Sequence, residues 1–271
     1  MTDSHLHIWE LERFKYSWIT SELGVLHRDH TIQQALELLH TNNLQNAVLV
    51  EADSSLGENR WLLEVANAHP EILGVVGWCD LTSPTLEQEL ESLMAHQKFK
   101  GVRPRIPSAE APNSDWEALH NGLSILEQHH LTCDLLIQDH LSPRLHKLVS
   151  AHPRVEFILD HFAGIELALE NHGSWATSLA GFADLSHVNL KISGFLTAAK
   201  SKPLEPDVFK RFFQTAVKLF GANRLMFGSD HPVCRLGGQY ADTVRMLEQH
   251  CEADSAKFIF GHTVQRVYTI I

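Results

Sequence analysis

Two histidines two residues apart, His5 and His7 in the run Asp3-Ser4-His5-Leu6-His7, are the first groups in the chain whose spacing suits chemistry. Side chains at i and i+2 of a β-strand leave from the same face, so a strand here aims both imidazoles into one space. Neutral imidazoles that converge in this way ligate a metal ion or polarise a carbonyl. The chain holds 19 histidines, so such a spacing also arises by chance, and the pair gains weight only beside other ionisable groups. Those groups recur at the ends of later apolar runs. Glu51 follows AVLV, Trp78-Cys79-Asp80 follows GVVG, and Arg103 and Arg105 follow KGV. Asp160-His161 follows VEFIL, Lys191 and Ser193 close VNLKIS, and Ser229-Asp230-His231 follows RLMFG. The run TCDLLI ends less distinctively, in Gln138-Asp139-His140.

The elements that must position these groups are short apolar strands alternating with helix-period segments. Strands are read at 2–7, 47–51, 74–80, 100–103, 132–137, 155–161, 188–193 and 224–228. Helices are read at 31–42, 58–69, 84–96, 115–130, 143–152, 175–184, 206–220 and 239–251, followed by two short helical turns in the tail. The strands are continuously apolar rather than alternating, which indicates a parallel sheet covered on its outer face by helices. Eight such β/α units over residues 1–271 predict an α/β protein built as a single (β/α)8 barrel in one domain. A doubly wound open sheet is the alternative, but no glycine-rich phosphate loop follows the first strand. In a barrel the active site lies at the C-terminal ends of the strands, which is where the ionisable residues fall. A long aromatic loop, Glu10 to His30 with Phe14, Tyr16 and Trp18, has the length of a functional loop or lid.

Each group also has a plainer reading. An acidic residue after a strand often caps the next helix, and His231 and Arg105 read as solvated loop residues. His40, His69, His96, His129, His152 and His250 fall at helix ends, where surface or dipole interactions are the ordinary explanation. Six strands of one barrel ending in ionisable groups are harder to dismiss, because burying them in one cup without a task costs several kcal/mol.

Composition narrows the classes. The formal charge of −11 opposes nucleic-acid or anionic-membrane binding, and no run of about 18 apolar residues is present to span a bilayer. Cys79, Cys133, Cys234 and Cys251 lack metal-ribbon or CxxC spacing and read as reduced thiols of a cytoplasmic protein. Homo-oligomerisation stays open.

Taken in order, DSHLHIW, GVVGWCDL, KGVRPRI, ILDHFAG, LKISG and LMFGSDHPVC resemble the amidohydrolase superfamily. The likeness is to its amidohydrolase-related branch of L-fuconolactonase-, L-rhamnonolactonase- and 2-pyrone-4,6-dicarboxylate lactonase-like enzymes, and GENRWLLEVA fits the L-fuconolactonase-like group. The resemblance implies a (β/α)8 barrel that opens a lactone, most closely an aldonolactone, to the hydroxy acid. On matching positions it implies Asp230 as general base, His5 and His7 as the HxH pair, and His161 as the DHxG histidine. Arg103 matches the arginine that binds an anionic or hydroxyl-rich part of the substrate.

Lactone hydrolysis needs a water deprotonated toward the carbonyl carbon and a polar group over the developing oxyanion, and these residue types supply both. Glu51, Trp18, Trp78 and Lys191 are candidates for contacting substrate. Two routes remain open: hydrolysis with no metal, and hydrolysis with one zinc ion on His5 and His7, with Glu51 a further donor. A zinc-dependent decarboxylase of the same superfamily and a non-catalytic ligand-binding barrel are the alternatives. The chain departs from the family pattern at His231, at Pro104 after Arg103, and at Gly261-His262-Thr263-Val264.

Overall fold

A computed structural model describes residues 1–107, 115–137, 141–164, 166–198 and 203–270. Eight short strands form one parallel sheet in chain order: β1 (Thr2–Leu6), β2 (Asn46–Val50), β3 (Ile72–Gly77), β4 (Phe99–Val102), β5 (Thr132–Leu135), β6 (Phe157–Leu159), β7 (Val188–Ile192) and β8 (Leu225–Phe227). The sheet closes between β1 and β8. There the His7 amide donates to His231 O (2.7 Å), the Asp230 amide to His5 O (2.9 Å), and Ser4 Oγ to Phe227 O (2.6 Å). The helices α1 (Ile32–Thr41), α2 (Leu56–Ala68), α3 (Leu86–Met94), α4 (Trp116–His129), α5 (Pro143–Ser150), α6 (His172–Ala183), α7 (Pro206–Phe220) and α8 (Tyr240–Glu248) follow the strands in turn. This is the (β/α)8 barrel that the sequence pattern predicts.

Local chemistry starts the helices where the sequence places them. Thr31 and Gln34 form a reciprocal capping box at α1. Asp115 accepts from the Ala118 amide at α4, Ser142 caps α5, and proline opens α5 and α7, where its missing N–H costs nothing.

Period-2 alternation sends successive strand residues to opposite sides of the sheet and divides β2, β3, β6 and β8 between two cores. Ala47, Leu49, Cys133, Leu135, Leu190 and Ile192 join the shell shared with the helices. Val48, Val50, Val76, Ile158 and Met226 form a separate cluster inside the barrel with Val264, Val267 and Tyr268. The tail is therefore more than two surface turns. It runs as a helical stretch (Ala253–Lys257), a wider π turn (Phe258–His262) and a last α turn (Thr263–Val267), and plugs the end of the barrel where the strands begin. The opposite mouth is left to polar groups. A satellite cluster of Trp9, Tyr16, Ile19, Leu26 and Ala52 packs the long loop against that mouth. Among the described residues no helix is long and apolar enough to cross a membrane. All four cysteines are free.

Candidate active site

β1 delivers His5 and His7 to one face, with their Nε2 atoms 3.1 Å apart and both side chains buried. His7 Nδ1 lies 2.8 Å from Val50 O, which can only accept, so Nδ1 carries the proton and Nε2 keeps a lone pair. His5 Nε2–H is then the donor between the two rings, and His5 Nδ1 accepts from the Lys191 ammonium at 3.1 Å. The assignment follows from hydrogen-bond roles alone and leaves both imidazoles neutral. Burial also pushes the His5 imidazolium well below its ordinary range, with Lys191 and His161 adding to the effect and Asp160 opposing it.

Beneath His5 lies a buried charged layer. Lys191 of β7 bonds Asp134 of β5 and lies 3.3 Å from Asp160 Oδ1, and all three side chains are closed to solvent. Tyr268 from the tail donates to Asp134 Oδ2 at 2.8 Å. Burial pushes the Asp134 carboxyl up, with Asp160 adding and Lys191 opposing. Asp160 moves the other way: despite its burial, Lys191 and His5 hold it well below the usual carboxylate range.

Asp230 and His161 reach the mouth by leaving the sheet. β8 ends at Phe227, and Asp230 sits at φ 57°, a left-handed conformation. His161, Phe162, Ala163 and Gly164 form a left-handed turn after β6, with φ of 55°, 52°, 59° and 73°. Such geometry costs about 1–2 kcal/mol for each residue bearing a Cβ, so packing must hold it. Phe162 is buried, and Gly194 (φ 63°) brings its backbone against the His161 ring; a Cβ there would lie 2.8 Å from His161 Cβ. The Ser193 hydroxyl holds His161 Nδ1 at 2.9 Å. Asp230 Oδ1 consequently faces three Nε2 atoms, those of His7 at 3.5 Å and of His5 and His161 at 3.9 Å. Burial lowers the His161 imidazolium, with Asp230 and Asp160 opposing.

On the other side, Glu51 is fully buried between two arginines. Arg103 donates Nε to Glu51 Oε1 and Nη2 to Glu51 O, both at 2.7 Å. Its Nη1 lies 3.6 Å from Asp160 Oδ2. Arg105 donates to both carboxylate oxygens of Glu51, at 2.7 and 3.0 Å. Arg105 is thus paired rather than solely solvated, and His231 is likewise buried (4% exposed), burial pushing its pKa down to about 3.

These groups border a cavity of about 620 Å³ lined by His7, Trp18, Arg103, Arg105, His161 and Asp230. Leu136, Ile137, Ala198 and Val233 give it an apolar side, and Asp53 and Glu166 add carboxylates. Trp18 edges the cavity with its indole N–H on Ala52 O (2.7 Å). Glu51 and Lys191 lie behind this wall rather than on it. Trp78 is outside it as well: its backbone N–H and C=O are clamped by the Asn59 amide at 2.8 and 2.6 Å. The β5 exit at Gln138-Asp139-His140 lies outside the described residues. Asp134 escapes a search of strand ends because it stands inside its strand; the available signal was a lone acid in an apolar run.

Two groups among the described residues have the spacing of metal donors. His5, Asp134 and Asp160 already surround the Lys191 ammonium, which supplies the cation there. His5, His161 and Asp230, with His7 Nε2 beside them, suit a zinc-type ion better. Donors about 2.0–2.1 Å from a tetrahedral ion stand roughly 3.3 Å from one another, and here the His5–His7 pair and the three imidazole–Asp230 pairs span 3.1 to 3.9 Å. His7 and His161 have their Nδ1 atoms anchored as such ligands require. For His5 to join, its proton must move to Nδ1, where Asp160 Oδ1 lies 3.5 Å away. The donor set therefore fits a divalent ion.

A parallel barrel whose mouth gathers imidazoles, carboxylates and buried guanidiniums around one cavity is the architecture of an enzyme acting on a small molecule. Residues 2–270 match the amidohydrolase family model, and the chain belongs to that family. It is 29% identical to an L-fucono-1,5-lactonase of Burkholderia ambifaria, over 99% of this chain and 95% of that protein. An amidohydrolase from Burkholderia multivorans, crystallised with bound HEPES, superimposes with a TM-score of 0.89 at 28% identity, covering 100% of this chain and 99% of that one. A second crystal form of an amidohydrolase from the same organism, with bound zinc, gives a TM-score of 0.87 at 28% identity and the same coverage.

Proposed function

We propose that the protein hydrolyses a neutral sugar lactone, of the L-fuconolactone kind, to the hydroxy acid. The observation that carries this reading is Asp230 Oδ1 facing three imidazole Nε2 atoms at the wall of an open cavity. A lactone carbonyl placed against the imidazoles has its carbon within reach of a water beside Asp230. The Asp230 carboxylate takes one proton from that water as its oxygen bonds to the carbonyl carbon. His161, oriented by Ser193, donates to the ring oxygen as the carbon–oxygen bond breaks, and Asp230 returns the proton to the imidazole. A divalent ion held by His5, His7, His161 and Asp230 would supply a Lewis acid for the carbonyl oxygen, and with His161 Nε2 so engaged the ring oxygen would take its proton from Asp230 instead.

Neutral rather than anionic substrate is favoured by charge. Three donor groups of Arg103 and both terminal nitrogens of Arg105 are spent on Glu51 and Asp160, so neither guanidinium is held in reserve for a carboxylate. Asp53, Glu166 and Asp230 make the remaining wall acidic and suited to hydroxyl donors. The apolar side fits a deoxy carbon.

The test is acid release from L-fucono-, L-rhamnono- and D-galactonolactones, with chelator-treated and zinc-reconstituted enzyme. Asp230→Asn is expected to cut turnover by about 10²–10⁴ with an unchanged circular dichroism spectrum. A variant as fast as the parent, or a parent that opens none of these rings, would overturn the reading.

A further inference from the structure

A second cavity, of about 450 Å³, opens on the flank of the barrel mouth between the end of the long loop, α1 and the chain after β8. Arg28 and His30 line it from the loop, and His231, Arg235 and Tyr240 from the other side. Among the described residues neither Arg28 nor Arg235 has an ion-pair partner. Both lie close enough to His30 to disfavour its protonation, and Arg235 acts likewise on His231. Glu37 of α1 is the one carboxylate in the lining, against two guanidiniums, and nearby Asp29 is engaged by the Leu11 amide at 2.8 Å.

The back of the cavity carries an unmet polar group. His231 is buried, its ring stacked edge-on against His30 and Tyr240 at 5.8 Å each, and its Nδ1 has no hydrogen-bond partner. A buried polar atom left unpaired costs about 1–3 kcal/mol, so such an atom at a cationic cavity wants an occupant. Gln34 and Gln239 add amide donors at the rim. Two guanidiniums from separate segments, amides and an imidazole are the donor set of an oxyanion site.

We propose that this flank cavity binds a small oxyanion, a carboxylate or phosphate group, through Arg28, Arg235 and the His231 ring. The site is separate from the catalytic cavity, but His231 directly follows Asp230, and its carbonyl receives the His7 amide. A bound anion therefore braces the segment that carries the catalytic carboxylate.

The experiment is isothermal titration of the intact protein with inorganic phosphate and, separately, with acetate, repeated on Arg28→Gln/Arg235→Gln. The expected result is one saturable site for at least one probe, weakened at least about tenfold in the double variant. Lactone turnover without added anion should be the same in both proteins. Binding of phosphate alone assigns the site to phosphoryl groups, and binding of acetate assigns it to carboxylates. No saturable binding of either, or equal binding by the double variant, overturns the proposal. The readout is heat of binding, so its failure is distinguishable from failure of the lactonase reading.

Discussion

Replacing Lys191 with methionine removes, among the described residues, the only cation that Asp134 bonds and the nearest one to Asp160, inside a layer closed to solvent. At the 3.3 Å separation from Asp160, one such pair is worth about 5 kcal/mol of attraction at an effective dielectric of about 20. Loss of the cation leaves two carboxylates facing each other, and one must take up a proton. Asp134, already pushed up to about 6 by burial, is the one that does so. The net cost expected at pH 7 is about 3–5 kcal/mol, the range for breaking a buried pair. Its pH dependence has a definite sign. In the variant the native carboxyls bind protons more tightly than the unfolded chain does, so stability falls as pH rises from about 4 toward 7. Urea unfolding at pH 5 and pH 7 should therefore show a smaller deficit at pH 5. Lys191→Met/Asp134→Asn, which removes one carboxylate as well, should recover at least half of the loss. A single variant within about 1 kcal/mol of the parent, or an equal deficit at both pH values, refutes the charge reasoning.

Glu58 is buried, and burial pushes its carboxyl to about 8, with Glu51 and Asp53 adding and the Ala52 and Asp53 amides opposing. A raised carboxyl stabilises below its unfolded pKa and loses that contribution as pH climbs to about 8, so Glu58→Gln should flatten the pH dependence of unfolding by roughly 2–4 kcal/mol over that span. Gly194→Ala puts a Cβ 2.8 Å from His161 Cβ at a left-handed position, and should lower kcat about tenfold or more while leaving KM closer to the parent value. Glu51→Gln frees both arginines from their shared counter-charge. Steady-state inhibition should then show simple carboxylates competing at lower concentration as neutral-lactone turnover falls; unchanged inhibition would contradict the charge argument.

The barrel was legible because apolar runs alternate with helix-period segments eight times, and each predicted strand overlaps an observed one. The strand ends were read too long for a physical reason. The candidate site groups leave the ladder: β6 stops at Leu159 and β8 at Phe227, while Asp160, His161 and Asp230 lie beyond. Partnership was not legible. Nothing local tells that Asp134 meets Tyr268, 134 residues on, or that Tyr240 donates to Asp3 across the β1–β8 seam. Arg105 read as loop polarity because Glu51, which pairs it, comes from a distant segment, and His231 because its burial against His30 and Tyr240 is set by the fold. His152, placed by its position at a helix end, is buried beside His120.

The left-handed turn at His161–Gly164 sets folding and chemistry in opposition over four peptide units. Any change that lets this segment relax into ordinary right-handed geometry is rewarded in stability and swings the imidazole out of the mouth. On the proposed mechanism, stabilising this segment alone would therefore erode the site, and the reaction requires a part of the fold to stay under tension. The barrel around it has to be firm enough to bear that tension, which makes the far-off tail plug a silent condition of the chemistry.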